Sequence, residues 1–257
     1  FAEREVAKIP DVPRDTAAQD ITSAAVIGCG TMGGGIAMCF LNVGIPVKSL
    51  EMNQEALDRG IGVIKRNYDI QVQRGRMTAE QVDQRMALLT GTTDFADLGQ
   101  ADVIVEAIYE NIDVKVETFQ KMDAVAKPGA ILASNTSALD IDKMAAATKR
   151  PNSVIGLHFF SPANVMRLLE IVRGADTSKE TIATSMKLGR TLNKIAVLSG
   201  NAPGFIGNRM LAGYTRQAGE IILQGATPYQ VDNALLQFGM PMGPFQMNDL
   251  VGLDLGW

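Results

Sequence analysis

The chain has 257 residues, 46% hydrophobic and 20% charged, which is enough apolar material for one large or two ordinary domains and excludes a disordered chain. Two cysteines, Cys29 and Cys39, are too few for a disulfide framework, form no zinc-type cluster and point to a reducing compartment. A net charge of −4 offers no global attraction for nucleic acid or an anionic membrane, and no apolar run reaches the ~18 residues that a membrane span needs.

Residues 1–20 are polar and broken by Pro10 and Pro13, which predicts a helix over Phe1 to Lys8 and then an extended linker. They lack the apolar core and small-residue cleavage site of a signal peptide. From Ser23 apolar runs alternate with helical stretches: a strand over Ala24 to Gly28, a helix over Met32 to Val43 and a strand over Ile45 to Met52 form a βαβ unit. A polar helical hairpin follows at 54–89, its helices at 54–75 and 78–89 meeting near Gly75, with Thr78 and Gln81 at capping-box spacing. Further strands are predicted at Ala101 to Ala107, Ala130 to Ser134, Val154 to Phe159 and Leu168 to Val172, with a helix over Val114 to Val125. The alternation implies an α/β fold, a Rossmann-type, mainly parallel, doubly wound sheet over 21–200. After Ser199 the pattern becomes helical, over Phe205 to Leu223 and Tyr229 to Phe238, so 201–257 reads as the start of an all-helical domain.

Gly28-Cys29-Gly30-Thr31-Met32-Gly33 is a G-x-G-x-x-G between the first predicted strand and helix, with Glu51 ending the next strand. In that context Gly28 permits a tight turn, Gly30 lets backbone approach a pyrophosphate and Gly33 lets helix and strand pack closely. Glu51 suits the adenosine ribose hydroxyls and would repel a 2′-phosphate, which favours NAD over NADP. Cys29 reads as a small side chain that fits the loop, and Cys39 as core.

Polar groups cluster where strand ends are predicted, in AIYEN (107–111), SNTS (134–137), HFFSP (158–162) and NAPGFIGNR (201–209). In an open α/β sheet the crevice beyond these ends is where ligands bind. His158, the single histidine, ends one apolar run, and Glu170 lies inside another, Leu168 to Val172, where an unpaired carboxylate would be costly. If the two strands are neighbours, the imidazole is its natural partner. Such a pair serves either as a purely structural contact or as a general base with its orienting carboxylate.

Taken together, GCGTMGGGIA, EAIYENIDVK, SNTSAL, HFFSPANVM, LLEIV and NAPGFIGNR resemble the L-3-hydroxyacyl-CoA dehydrogenase family over nearly all of residues 22–257. The resemblance implies NAD-dependent oxidation of an (S)-3-hydroxyacyl-CoA thioester in fatty-acid β-oxidation. His158 matches the base for the 3-hydroxyl and Glu170 its partner. Ser137 and Asn208 match groups that hydrogen-bond the substrate oxygen and the nicotinamide region. Met32, Glu51, Ile108, Tyr109, Glu110, Lys115 and Ser161 match positions lining the NAD site with Gly28, Gly30 and Gly33. Ser161 stands where many members have Asn, and Tyr109 is bulkier than the residue often found there.

In the family the helical hairpin flanks coenzyme A, so Lys65, Arg66, Arg74 and Arg76 are either phosphate contacts or a solvated face. Met210, Met240, Met242 and Met247 read as core ahead of an acyl channel. The lead-in FAEREVAKIP is similar to the linker after an enoyl-CoA hydratase/isomerase domain in multifunctional β-oxidation proteins. That implies a fused hydratase/isomerase, a thiolase partner, and a bacterial cytoplasm or organelle matrix. Because relatives continue beyond GPFQMNDLVGLDLGW into helices completing a dimer interface or its intramolecular equivalent, the chain reads as cut at both ends. Two other readings are a β-hydroxyacid dehydrogenase of small free acids, which relies on a catalytic lysine, and a non-catalytic, crystallin-like relative. The His158 and Glu170 pair argues against the first, and His158, Glu170, Ser137 and Asn208 together argue against the second.

Overall fold

Short runs of β-branched and small residues, AAVI, VIVE, ILAS and VIGLHF, form strands buried on both faces, as a sheet covered on both sides requires. The computed structural model describes residues 2–251, so Phe1 of the predicted first helix and the last six residues of GPFQMNDLVGLDLGW lie outside the described residues. The described residues fall into two compact units divided between Phe205 and Ile206.

The first unit contains α1 (Ala2–Glu5), β1 (Ala24–Ile27), α2 (Thr31–Leu41), β2 (Val47–Leu50), α3 (Gln54–Gln73), α4 (Ala79–Met86) and β3 (Leu89–Thr92). It continues with β4 (Val103–Glu106), α5 (Ile112–Val125), β5 (Ile131–Ser134), α6 (Ile141–Ala146), β6 (Val154–Phe159), β7 (Leu168–Arg173), α7 (Lys179–Thr191) and β8 (Ile195–Gly200). One eight-stranded sheet results, in the order β3-β2-β1-β4-β5-β6-β7-β8. Every neighbouring pair is parallel except β6 with β7, joined by a link too short for a helical crossover. Alternate residues feed two cores. Val26, Val105, Ala133 and Leu157 join the cluster on one face, and Ile27, Ile104 and Leu132 the cluster on the other. The strand order reverses between β1 and β4, and there the two carboxyl ends diverge into loops.

Several boundaries correct the sequence reading. The first helix stops at Glu5 instead of reaching Lys8, since so short an isolated helix has little support of its own. The second helix of the hairpin ends at Met86, because Leu89–Thr92 pairs with β2 as an edge strand. Its capping box from Thr78 and Gln81 is present. The elements α6, α7 and β8, and the helix at Pro244–Val251, had no counterpart among the predicted ones. The lead-in is tied down by ion pairs from Asp11 to Arg173 and Asp20 to Lys187, and by a hydrogen bond from the Gln19 N–H to Thr184 Oγ1.

The second unit contains α8 (Gly207–Leu223), α9 (Pro228–Phe238) and α10 (Pro244–Val251). Thr227 caps α9 in a capping box, and Asp232, buried in α9, accepts the Phe245 and Gln246 N–H groups that open α10. Met210 is 73% exposed, so it is not core as expected. No helix among the described residues is long and apolar enough to cross a membrane.

Candidate active site

The glycine loop sits at the strand-order reversal. Gly28 has φ +93°, and a Cβ there would come within 2.8 Å of the Ala107 carbonyl oxygen at the end of β4. A Cβ on Gly33 would lie 1.8 Å from the Gly28 oxygen, so only glycine allows this approach of α2 to β1. Gly30 differs, because a Cβ on it meets nothing within 4 Å, and no side chain caps α2 there. Open space and uncapped N–H groups at a helix start fit the pyrophosphate of NAD. Glu51, at the end of β2, accepts the Cys29 N–H at 2.7 Å and the Met52 N–H at 3.1 Å, which fixes its carboxylate beside the loop. Met32 is half-buried against the core, and Cys29 packs on Gly60. Burial and the nearby Glu51 charge, only partly opposed by Ser49, push the Cys29 thiol up to about 11, so it is not a reactive thiolate.

The ends of β4 and β5 carry a second cluster. Glu106, fully buried, is in register with Ser134, whose hydroxyl donates to it at 2.8 Å, and the Ile108 N–H donates at 2.9 Å. Lys115, from the first turn of α5, reaches back to Glu106 and lies 3.3 Å from Glu110. With 1% exposure, Lys115 is the buried counter-charge to the two glutamates, next to the position where the resemblance places the cofactor. Glu110 accepts the Thr136 hydroxyl, and the Ser137 N–H and hydroxyl at 2.8 and 3.2 Å. Burial raises its pKa, but the Thr136 hydrogen bond, the Lys115 charge and the Ser137 N–H together hold it below the usual carboxylate range. Ile108 is half-buried, whereas Tyr109 is 79% exposed just beyond β4.

His158 and Glu170 are directly opposite each other across the antiparallel β6 and β7. His158 Nδ1 lies 2.7 Å from Glu170 Oε2, with side-chain exposures of 7% and 1%. Because the carboxylate accepts, Nδ1 carries the hydrogen and Nε2 is left as the basic nitrogen. Phe160 and Phe205 flank the imidazole, with ring centroids 4.4 and 5.7 Å away. Asn135, just past β5, accepts the Phe159 N–H at 2.9 Å, which links this pair to the Ser137 segment. Ser161 follows Phe160 and is exposed. Asn208 belongs to the second unit, at the start of α8, and is half-buried.

The sequence reading passed over Glu106 and Asn135. Glu106 carries the same signal that singled out Glu170, a carboxylate inside an apolar strand run. Asn135 lay in the polar SNTS segment, but its own role depends on β6 arriving beside β5. The cations of the hairpin, Arg66, Arg74 and Arg76, are exposed, and Lys65 pairs with Asp69 at 2.9 Å.

Residues 23–202 match the family model of the 3-hydroxyacyl-CoA dehydrogenase NAD binding domain, and residues 204–257 that of its C-terminal domain. The chain is 45% identical over 243 residues to the peroxisomal bifunctional enzyme of Danio rerio, covering 93% of this chain and 33% of that protein. It is 41% identical over 256 residues to a peroxisomal fatty acid beta-oxidation multifunctional protein of Arabidopsis thaliana, covering 99% and 35% respectively. It thus spans about a third of the length of these curated relatives. Among solved structures, the (S)-3-hydroxybutyryl-CoA dehydrogenase of Ralstonia eutropha superposes with a TM-score of 0.88 at 34% identity, covering 91% of this chain and 84% of that one. With its glycine loop at the strand-order reversal and both domain models matched in order, the chain belongs to the 3-hydroxyacyl-CoA dehydrogenase family.

Proposed function

We propose that this chain oxidises an (S)-3-hydroxyacyl-CoA thioester to the 3-oxoacyl-CoA, with NAD as cofactor. The observation that carries this reading is the buried His158–Glu170 pair at 2.7 Å on the sheet whose carboxyl edge bears the glycine loop. When bound, NAD supplies the acceptor for the hydride leaving C3. Gly28, Gly30, Gly33 and Glu51 would hold its adenosine end, and Met32, Ile108, Tyr109 and Glu110, with Ser137 and Ser161, the rest of its length. Lys115, beside Glu110, would join them there. His158 Nε2 takes the hydroxyl proton as the C–O bond becomes a carbonyl, and Glu170 stabilises the imidazolium that results. The resemblance assigns Ser137 and Asn208 to the substrate oxygen, where the Ser137 hydroxyl would donate in place of its bond to Glu110. A dehydrogenase of small free acids would use a lysine base, and no observation favours one.

The reading extends to a multifunctional parent protein that also carries an enoyl-CoA hydratase/isomerase domain and works with a thiolase, in the bacterial cytoplasm or an organelle matrix. Support for this comes from the relatives, which are bifunctional or multifunctional proteins about three times as long as the aligned region.

The test is NAD reduction with 3-hydroxybutyryl-CoA. His158→Gln is expected to lose roughly 10²–10⁴-fold in turnover while still binding NADH. Glu170→Gln, which removes the charge supporting the imidazolium, is expected to move the rising limb of the pH–rate profile to lower pH. A wild-type protein that binds NADH but shows no thioester-dependent reduction would refute the function. An unimpaired His158→Gln would remove the base, and an unchanged profile in Glu170→Gln would remove Glu170 from the mechanism.

A further inference from the structure

The segment between β6 and β7 carries Phe160, packed on the His158 ring, and Ser161, yet it has little backbone structure of its own. Its backbone bonds amount to one turn, in which the Val165 and Met166 N–H groups both donate to the Pro162 oxygen at 2.9 Å. The carbonyls of Ala163 and Met166 converge on a single ammonium. Lys194 Nζ donates to the Ala163 oxygen at 2.6 Å and to the Met166 oxygen at 2.7 Å. A tetrahedral ammonium with three N–H groups can serve two converging carbonyls, which no apolar side chain can do.

The lysine is itself held in place. Asn193, at φ +57°, ends α7 in the left-handed region, and the Lys194 N–H donates back to the Gly189 oxygen at 2.9 Å. The next N–H, of Ile195, donates to the Arg167 oxygen at 2.8 Å and sets β8 beside β7. From the other side α2 presses on the same segment. Cys39 Sγ lies 3.3 Å from the Ala163 oxygen, and a Cβ on Gly35 would stand 3.1 Å from the Ala163 Cβ. The segment after the histidine is therefore clamped between the cofactor helix and one lysine.

We infer that Lys194 is a positioning residue, whose ammonium fixes the Phe160 to Met166 segment so that Phe160 covers His158 and Ser161 faces the nicotinamide. The roles of His158 and Ser161 rest on the function proposed above; the clamp does not. Hydrogen exchange of the free protein therefore comes first. Lys194→Met is expected to speed exchange of the Val165 and Met166 amides, and to weaken NADH binding and raise the KM for NAD by about tenfold with a smaller change in kcat. Lys194→Arg, which keeps charge and donors, is expected to return both towards wild type. If Lys194→Met folds poorly, Lys194→Gln, a neutral donor, should give an intermediate loss.

Wild-type exchange at these amides in Lys194→Met, or unchanged NADH affinity, would overturn the inference. Equal loss in the Met and Arg variants would also overturn it, since that marks a packing role. An inactive wild type would count against the proposed activity and leave the exchange result standing.

Discussion

Replacing Lys115 by Met tests the cluster behind the cofactor surface. Lys115 is 1% exposed and Glu106 fully buried, so the substitution strands a carboxylate with no opposite charge beside it. Removing one partner of a buried pair costs about 3–5 kcal/mol. Glu106 keeps the Ser134 hydroxyl and the Ile108 N–H, which places the loss near the lower end, at about 3 kcal/mol. Glu110 is 37% exposed and solvent screens its charge, so the loss of its contact adds little. For a domain of this size that corresponds to a fall in Tm of roughly 6–12 °C. The assay is urea unfolding of Lys115→Met, Glu106→Gln and the double variant. The double variant is expected to recover much of the deficit, with a coupling of about 2 kcal/mol, because it leaves no unpaired charge. A Lys115→Met protein within about 0.5 kcal/mol of wild type, or a double variant with purely additive losses, would refute the reasoning.

Three further outcomes follow from the geometry. Gly30→Ala is expected to leave Tm within a degree or two, because its Cβ meets nothing, while weakening NADH at least tenfold. Gly33→Ala, aimed at the Gly28 oxygen, is expected to lose both; calorimetry with NADH titration separates them. Asp102 accepts Thr22 and Ser23 N–H groups and hydroxyls and pairs with Lys127 at 2.6 Å. Burial opposes its charge, but these partners hold its carboxyl well below the usual range. Its contribution is therefore complete above the unfolded value near ~4 and is lost as pH falls through the lower folded value. Asp102→Asn is expected to be about 1–3 kcal/mol less stable near neutrality, with a smaller acid-induced loss than wild type; equal slopes below pH ~4 would contradict this.

Much of the site is local in origin, and such parts were legible in the chain. The glycine loop needs only a strand before it, a helix after it and an acid at the next strand end, so Gly28, Gly30, Gly33 and Glu51 stand where the spacing put them. Val154–Phe159 was bounded correctly because six consecutive buried residues leave no ambiguity of face. The edge strand β3, LTGT, pairs on one side and carries one large apolar residue, so it was read as the tail of a helix.

By itself the sequence determined the alternating architecture, the cofactor loop and the requirement that Glu170 find a partner, because these depend on periodicity, on glycine sterics and on the desolvation of one charge. Only the tertiary structure decided which partners were found. The antiparallel turn of β7 set Glu170 against His158, and the return of α5 buried Lys115 against Glu106. The arrival of β8 delivered Lys194 to the loop beside the histidine. Each of these contacts joins residues from different strands or helices. Whether they meet depends on strand order and direction, which the packing of the whole sheet decides.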